Sequence, residues 1–399
     1  MNWLEKGAMY GRLDAVSSKQ QEQWTSKLGV IFAVAGGAIG LGNFLRFPGL
    51  AAQYGGGAFM VAYVISLLVL GVPVGWAEWS LGRRGGLLGS NCGPGIFWKL
   101  THGSTLWKML GVLPVLGPTA VAFYYIPIEA WCFGYMCQLA EGTSSFETVT
   151  QTQSFFNDFV GISAHGAAFS GGSLLIVSLL VSAVLNLWIV YRGISQGVER
   201  FCRWSIPVLL VISVILLLRV LTIGTPDSMY PERNVEEGLG YMWNPNKVLL
   251  EERIDNAGGE KKEEWQVISM APINRPDAMD ALKKQVEESD GQLRLTEMTL
   301  WQGLKNIELW LAAAGQVFLS LTVGVGLILT YASYLRKKDD VALSALTAMA
   351  ANETCEVTIA GMMTIPAAVA FFGVAGAAGQ GTFALGFMTL PQVFAKMHM

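Results

Sequence analysis

The sequence predicts an all-α integral membrane protein, on three observations. Of 399 residues, 52% are hydrophobic and only 14% are charged, against roughly 25% charged in average soluble chains. A soluble protein of this length would need far more polar surface to cover its core. Seven apolar runs also approach or exceed the ~20 residues that a spanning helix needs. They cover residues 28–52, 57–82, 109–138, 171–191, 204–224, 308–335 and 341–371. The net charge of -3 gives no ground for nucleic-acid binding.

The elements follow in chain order. Residues 1–27 are polar and read as a cytoplasmic segment. They are no cleavable signal peptide, because the apolar run after them is too long and too rich in glycine. Spans 1–5 occupy residues 28–224. Orientation follows from Lys and Arg in the short loops. The loop after span 2 holds Arg83, Arg84, Lys99 and Lys108. The loop after span 4 holds Arg192, Arg200 and Arg203, and the loop after span 6 holds Arg336, Lys337 and Lys338. Loop 141–170 has neither residue type. The amino terminus is therefore expected inside, with loops 141–170 and 225–307 outside. The longer outer loop contains a charge-dense stretch from Lys247 to Glu297. It reads as a solvated insertion with one amphipathic helix near Asp277–Glu288, or as a binding or regulatory segment. Spans 6 and 7 fill residues 308–371. The tail 372–399 is apolar, glycine-rich and interrupted by a proline. It fits an extracellular re-entrant or surface hairpin better than a full span.

Catalytic and transition-metal chemistry find little support. Cys92, Cys132, Cys137, Cys202 and Cys355 form no CxxC pattern and read as small buried residues. His102, His165 and His398 are too scattered for a zinc site or a triad. The glycines of Gly36–Gly42 lie inside a span, so they are no phosphate loop. An enzyme is not expected.

Span 1 carries the strongest signal. It places Gly36, Gly37, Gly40 and Gly42 within seven residues. Each costs a helix about 1 kcal/mol relative to alanine. One reading is a helix that unwinds within the membrane, freeing carbonyls for a hard cation and amides for an anion. The other is close helix packing through small residues. Asn43 and Arg46 favour the first, since an amide and a fixed cation inside a span are costly. Arg46 could instead snorkel to the surface. Further polar groups sit in later spans: Glu78, Glu129, Gln316, Ser320, Thr322, Asn352, Glu353 and Glu356. Asn352 and Glu356, four residues apart, put an amide and a carboxylate on one helix face.

The strings GNFLRFP (Gly42–Pro48), AAQYGGGAFM (Ala51–Met60) and EWSLGRRGG (Glu78–Gly86) resemble the neurotransmitter:sodium symporter family. The likeness continues through YYIPIEAW (Tyr124–Trp131), RGISQGVERF (Arg192–Phe201), LTYASYLRK (Leu329–Lys337) and IPAAVAFFGV (Ile365–Val374). It is nearest to the prokaryotic amino-acid branch typified by the bacterial leucine transporter. It spans all but the first 20 residues and the outer insertion. The resemblance implies an inverted-repeat sodium symporter fold with discontinuous helices 1 and 6, and sodium-coupled amino-acid import by alternating access in the cytoplasmic membrane.

The resemblance also implies site residues. One sodium ion would take the Ala38 carbonyl, Asn43, Ser320, Asn352 and the substrate carboxylate. A second would take the carbonyls of Gly36 and Ile39, with further ligands from an eighth span. Ala38, Gly40, Gly42, Val121, Tyr125, Leu319, Ser320, Thr322 and Val325 would line the substrate pocket, Tyr125 binding the carboxylate. Arg46 would belong to the outer gate and Trp24 to the inner one. Glu78 and Gln316 are expected as structural polar groups. Gly40 stands where amine carriers have aspartate, which implies a carboxylate-bearing substrate. Glu356 stands where chloride-dependent members have serine, which implies chloride independence. Val325 is smaller than the phenylalanine of the leucine transporter, leaving room for a larger side chain. Leu319 departs from the aromatic lid, Gly37 from an asparagine, and Gln21 from an inner-gate arginine for which Lys19 would substitute. The resemblance stops where the eighth span would begin, so the second repeat is expected to be incomplete. It would be completed by a missing carboxy-terminal segment or a second polypeptide. Otherwise the chain would be a truncated, non-transporting component or sensor of the same fold.

Overall fold

The computed structural model describes residues 23, 24, 26–142, 146–164, 172–254, 264–272, 276–289, 291–379 and 381–396. Gln21, Lys19, His165 and His398 lie outside the described residues. Among the described residues, five helices are long and apolar enough to cross a membrane: Gly57–Leu87, Thr105–Glu141, Ser173–Tyr191, Ile194–Leu221 and Val341–Gly379. These correspond to spans 2, 3, 4, 5 and 7. Span 1 is a pair, Gly29–Ala38 and Gly42–Gln53, bent by 43° at its break. Span 6 is also interrupted. Its first half, Ile307–Ser320, is followed by irregular backbone and then by Leu327–Ala332.

The two readings of the span 1 glycines are each realised, at different positions. Gly36 remains helical, and a Cβ there would stand 2.8 Å from the Cys202 sulfur of span 5. It is a close-packing residue. Gly40 lies at the break, where a Cβ would meet nothing within 4 Å. The chain then resumes as a π-helical turn, Gly42–Arg46. Such turns displace backbone hydrogen bonds and recur at functional sites.

Close packing through small residues is most developed in span 2. Cβ atoms at Gly82 and Gly86 would lie 2.3 Å and 1.8 Å from the carbonyl oxygens of Leu329 and Ser333. The two glycines let the second half of span 6 lie directly on the span 2 backbone, as small residues four apart permit in bilayers.

Span 7 is the centre of the bundle, with 72% of its most apolar stretch buried, against 6% for span 3. Spans 3–5 accordingly present exposed Phe123, Leu187, Val190 and Trp204, the surface expected where the surrounding solvent is lipid. This explains one correction. Only Cys202 and Cys355 are buried, whereas Cys92 and Cys132 are exposed and Cys137 is intermediate. Cys132 lies on span 3, where little protein packs around the helix. All five are free thiols.

The insertion between spans 5 and 6 is folded rather than merely solvated. Strands β1 (Lys247–Ile254), β2 (Glu264–Pro272) and β3 (Leu293–Met298) form an antiparallel sheet in the order β2-β1-β3. The amphipathic helix covers Pro276–Glu288. Adjacent residues of β1 point to opposite faces. Leu250 therefore packs with Leu282 and Leu293 of the insertion, while Leu249 joins Met270 in the main core. The buried Lys247 fastens the sheet to the bundle. Its Nζ donates to the carbonyls of Gly55 (2.7 Å) and Tyr241 (2.9 Å) and lies 4.0 Å from the Tyr241 ring centroid. Burial pushes its ammonium down to about 7.

The tail bends at Gly373, which has a left-handed φ of 73°, and ends in the helix Thr382–Ala395. Leu385, Met388 and Val393 of that helix are buried. A Cβ at Gly386 would lie 2.1 Å from a Leu45 methyl carbon. The tail is thus docked on the second half of span 1.

Candidate functional site

The breaks in spans 1 and 6 face each other and span 7. Asn43, on the π turn of span 1, is fully buried, as are Gln316, Asn352 and Glu356, while Ser320 is nearly so. Asn43 Nδ2 donates to Asn352 Oδ1 at 2.9 Å and to Glu356 Oε2 at 3.0 Å, with Ser320 Oγ at 3.5 Å. Its Oδ1 accepts the Gly40 N–H at 2.9 Å, tying the side chain to the break itself. Asn352 Nδ2 donates to Ser320 Oγ at 2.7 Å, and the Ser320 hydroxyl donates to Glu356 Oε2.

The other Glu356 oxygen accepts from Gln316 Nε2 at 2.8 Å and Tyr63 at 3.0 Å. Four donors thus surround one buried carboxylate, which matches its acceptor capacity. Gln316 also donates to the Gly42 carbonyl at 3.1 Å and accepts from Arg46 at 2.7 Å. Arg46 is therefore turned into the site by a defined partner and does not simply reach for the surface. The same Tyr63 hydroxyl lies 2.8 Å from Glu353 Oε2, so its single proton is shared between the two carboxyl groups.

Glu78 supports the break in span 6, accepting the Gly324 N–H at 3.1 Å. Three residues there have left-handed φ: Thr322 (53°), Gly324 (81°) and Gly326 (87°). For the β-branched Thr322 this conformation is strained. Glu129 accepts from Asn186 at 2.6 Å, joining spans 3 and 4. Trp24 is buried, and its indole N–H donates to the Tyr331 carbonyl at 2.9 Å in the second half of span 6.

A cavity of about 770 Å³ adjoins this cluster. Of the nine residues expected around a substrate, Gly40 and Tyr125 line it; Ala38, Gly42, Val121, Leu319, Ser320, Thr322 and Val325 do not. The Tyr125 hydroxyl lies 4.0 Å from where a Cβ of Gly42 would stand. Gly36 and Ile39 line the same cavity, which extends past Ser213 and Leu216 of span 5 to Phe387 of the tail. Its walls are mainly apolar.

Tyr63 escaped the sequence reading. A single tyrosine in an apolar run carries no signal of its own, and its role depends on Glu353 and Glu356 nearly 300 residues away. Among the described residues, no group of three or more His, Cys, Asp or Glu side chains could hold a metal ion. The site offers amide, hydroxyl and carbonyl oxygens, the donor set of a hard cation.

Comparison with known proteins agrees with this geometry. Residues 21–227 and 292–398 match the sodium:neurotransmitter symporter family. The chain is 25% identical over 385 residues to an uncharacterized sodium-dependent transporter of Haemophilus influenzae, covering 96% of this chain and 67% of that one. It is 28% identical over 344 residues to one of Methanocaldococcus jannaschii, covering 84% and 54%. Among solved structures, MhsT in complex with L-phenylalanine superposes with a TM-score of 0.68 at 25% identity, over 95% of this chain and 67% of that one. The chain thus spans between about half and two thirds of the length of these relatives. The unmatched interval between the two family segments contains the first two strands of the inserted sheet and its helix.

Proposed function

The chain belongs to the sodium:neurotransmitter symporter family, and from that membership we propose that it carries an amino acid inward by sodium-coupled alternating access, without chloride. The family is one of transporters, and sodium is cargo and driving ion rather than a catalytic metal. The observation that carries the reading is the buried cluster of Asn43, Ser320, Asn352 and Glu356 between the facing breaks of spans 1 and 6. Exchanging the two ends of the Asn43 amide would turn an oxygen toward Asn352 and Ser320. With the Ala38 carbonyl and the substrate carboxylate, these oxygens would surround one sodium ion. In a dry pocket the ion and the carboxylate stabilise each other strongly, so each raises the affinity for the other.

The open space beside Gly40 leaves room for the substrate backbone, and Tyr125 is near enough to donate to its carboxylate. Glu356 supplies a fixed negative charge, so no chloride is needed. The carbonyls of Gly36 and Ile39 would hold a second sodium ion, completed by ligands from a downstream segment or a second polypeptide. The protein works in the cytoplasmic membrane with its amino terminus inside and the inserted sheet outside, as the loop arginines and lysines favour.

The test is uptake of a labelled amino-acid mixture into proteoliposomes under an inward sodium or potassium gradient. Uptake is expected with sodium alone and should disappear in Asn43→Ala. Equal uptake in potassium, or none in either from folded protein, would favour a non-transporting sensor on the same fold.

A further inference from the structure

Where span 4 ends and span 5 begins, the bundle carries a groove of about 600 Å³. The turn is unusually tight. Gly193 takes a left-handed φ of 78°, and a π-helical segment, Ile194–Glu199, follows. A Cβ at Gly197 would lie 2.1 Å from the Ile189 carbonyl and 3.0 Å from the Arg192 Cβ. The returning chain therefore lies directly on the end of span 4. Arg192 and Arg200 consequently line one groove.

The three arginines of this turn differ. Arg203 is held by Glu199 at 2.9 Å. Arg192 lies 4.8 Å from the Trp188 ring centroid. Among the described residues, neither Arg192 nor Arg200 has a carboxylate partner. Besides Gln196 and Ser205, the remaining walls are largely apolar, and Trp188 (52%), Phe201 (53%), Trp204 (72%) and Val208 (55%) are exposed.

We propose that this groove binds an anionic phospholipid of the leaflet on the amino-terminal side. The phosphate sits between Arg192 and Arg200, and one acyl chain runs along Trp204 and Val208. Guanidinium forks match phosphate oxygens in charge and geometry. Tryptophans are at home where headgroups meet acyl chains, and basic pockets between spans are a recurring form of lipid recognition. A phosphocholine headgroup would bring its own cation against two arginines. A soluble anion would leave the apolar wall uncovered.

The test is native mass spectrometry of the detergent-purified protein titrated with phosphatidylglycerol or phosphatidylcholine. Phosphatidylglycerol should bind first and more tightly. The double variant Arg192→Gln/Arg200→Gln should weaken its binding roughly thirtyfold, as expected for two basic side chains, and leave phosphatidylcholine unchanged. Lys305→Gln, remote from the groove, should change neither. Equal binding of the two lipids, equal loss of both in the double variant, or unchanged phosphatidylglycerol binding would overturn the proposal. Displacement of phosphatidylglycerol by millimolar inorganic phosphate would also overturn it, by marking a soluble-anion site.

Discussion

Asn43 and Glu356 are 313 residues apart, yet the amide of one donates to the carboxylate of the other at 3.0 Å. Each sits on a π-helical turn, in spans 1 and 7 respectively. The contact fastens the break in span 1 to the most buried span of the bundle. It also places a carboxyl group where the proposed ion and substrate would meet.

Replacing Glu356 by serine removes the charge and leaves Asn43, Gln316 and Tyr63 without their shared acceptor. Sodium-driven uptake should fall at least about tenfold in chloride-free buffer, the scale set by a few kcal/mol for unpaired buried polar groups. Chloride should restore part of it. Uptake in chloride and in gluconate is the comparison to make, and equal rates in the two would remove Glu356 from the charge-balancing role.

Asn352→Ala deletes one candidate ion ligand and leaves Ser320 and Asn43 short of a partner. The sodium concentration giving half-maximal uptake should rise about tenfold, or roughly 1.4 kcal/mol. Potassium controls should stay flat. A sodium titration with an unchanged midpoint would show that the ion sits elsewhere.

Gly40 has open space where a Cβ would go, so Gly40→Asp should fold normally. Its carboxylate would repel that of the substrate across a pocket of low dielectric. Amino-acid binding should weaken by at least about tenfold while the melting temperature barely changes. Scintillation proximity binding with thermal melting separates the two effects.

Gly86→Val should damage folding instead. A Cβ would stand 1.8 Å from the Ser333 carbonyl, too close without moving span 6 off span 2. Destabilisation of about 2–4 kcal/mol is expected, in the range for forced overpacking of a tight contact. Monodisperse yield and melting temperature provide the readout.

Lys247 makes stability depend on pH in a definite direction. Its folded-state value is lowered from 10.5 to about 7 by burial. Between these values the unfolded chain binds more protons, so stability should rise with pH from about 7 toward 10.5. Below about 7 both states are protonated and the dependence vanishes. The slope should approach, at most, about 1.4 kcal/mol per pH unit. Melting temperatures at pH 6.5, 8 and 9.5 should show it, and Lys247→Met should abolish it.

The bundle was legible because lipid exposure demands long apolar runs, and the chain has them. The breaks were legible because glycines and polar side chains are costly within a span, as Gly40, Asn43 and Ser320 show. The assignment of roles among glycines was not, since Gly36 and Gly40 look alike until Cys202 is seen beside one of them. The sheet was hidden by the charge density of residues 247–297, which masked the apolar pair Leu249 and Leu250. Tyr63 was silent because its partners are set by tertiary packing. The cavity also lies nearer spans 3 and 5 than the expected substrate residues indicated.

The lysine that fastens the inserted sheet has a geometric consequence. Gly55 follows the second half of span 1, so that half-helix cannot tilt away from β1 without pulling the Gly55 carbonyl from Lys247, which also donates to Tyr241 of the helix Val235–Trp243. The sheet is then a passenger on the half-helix. Its helix carries Lys283 at the surface, away from the pocket. A fluorophore there would report any tilt of the half-helix beside Asn43 while the pocket itself is left untouched.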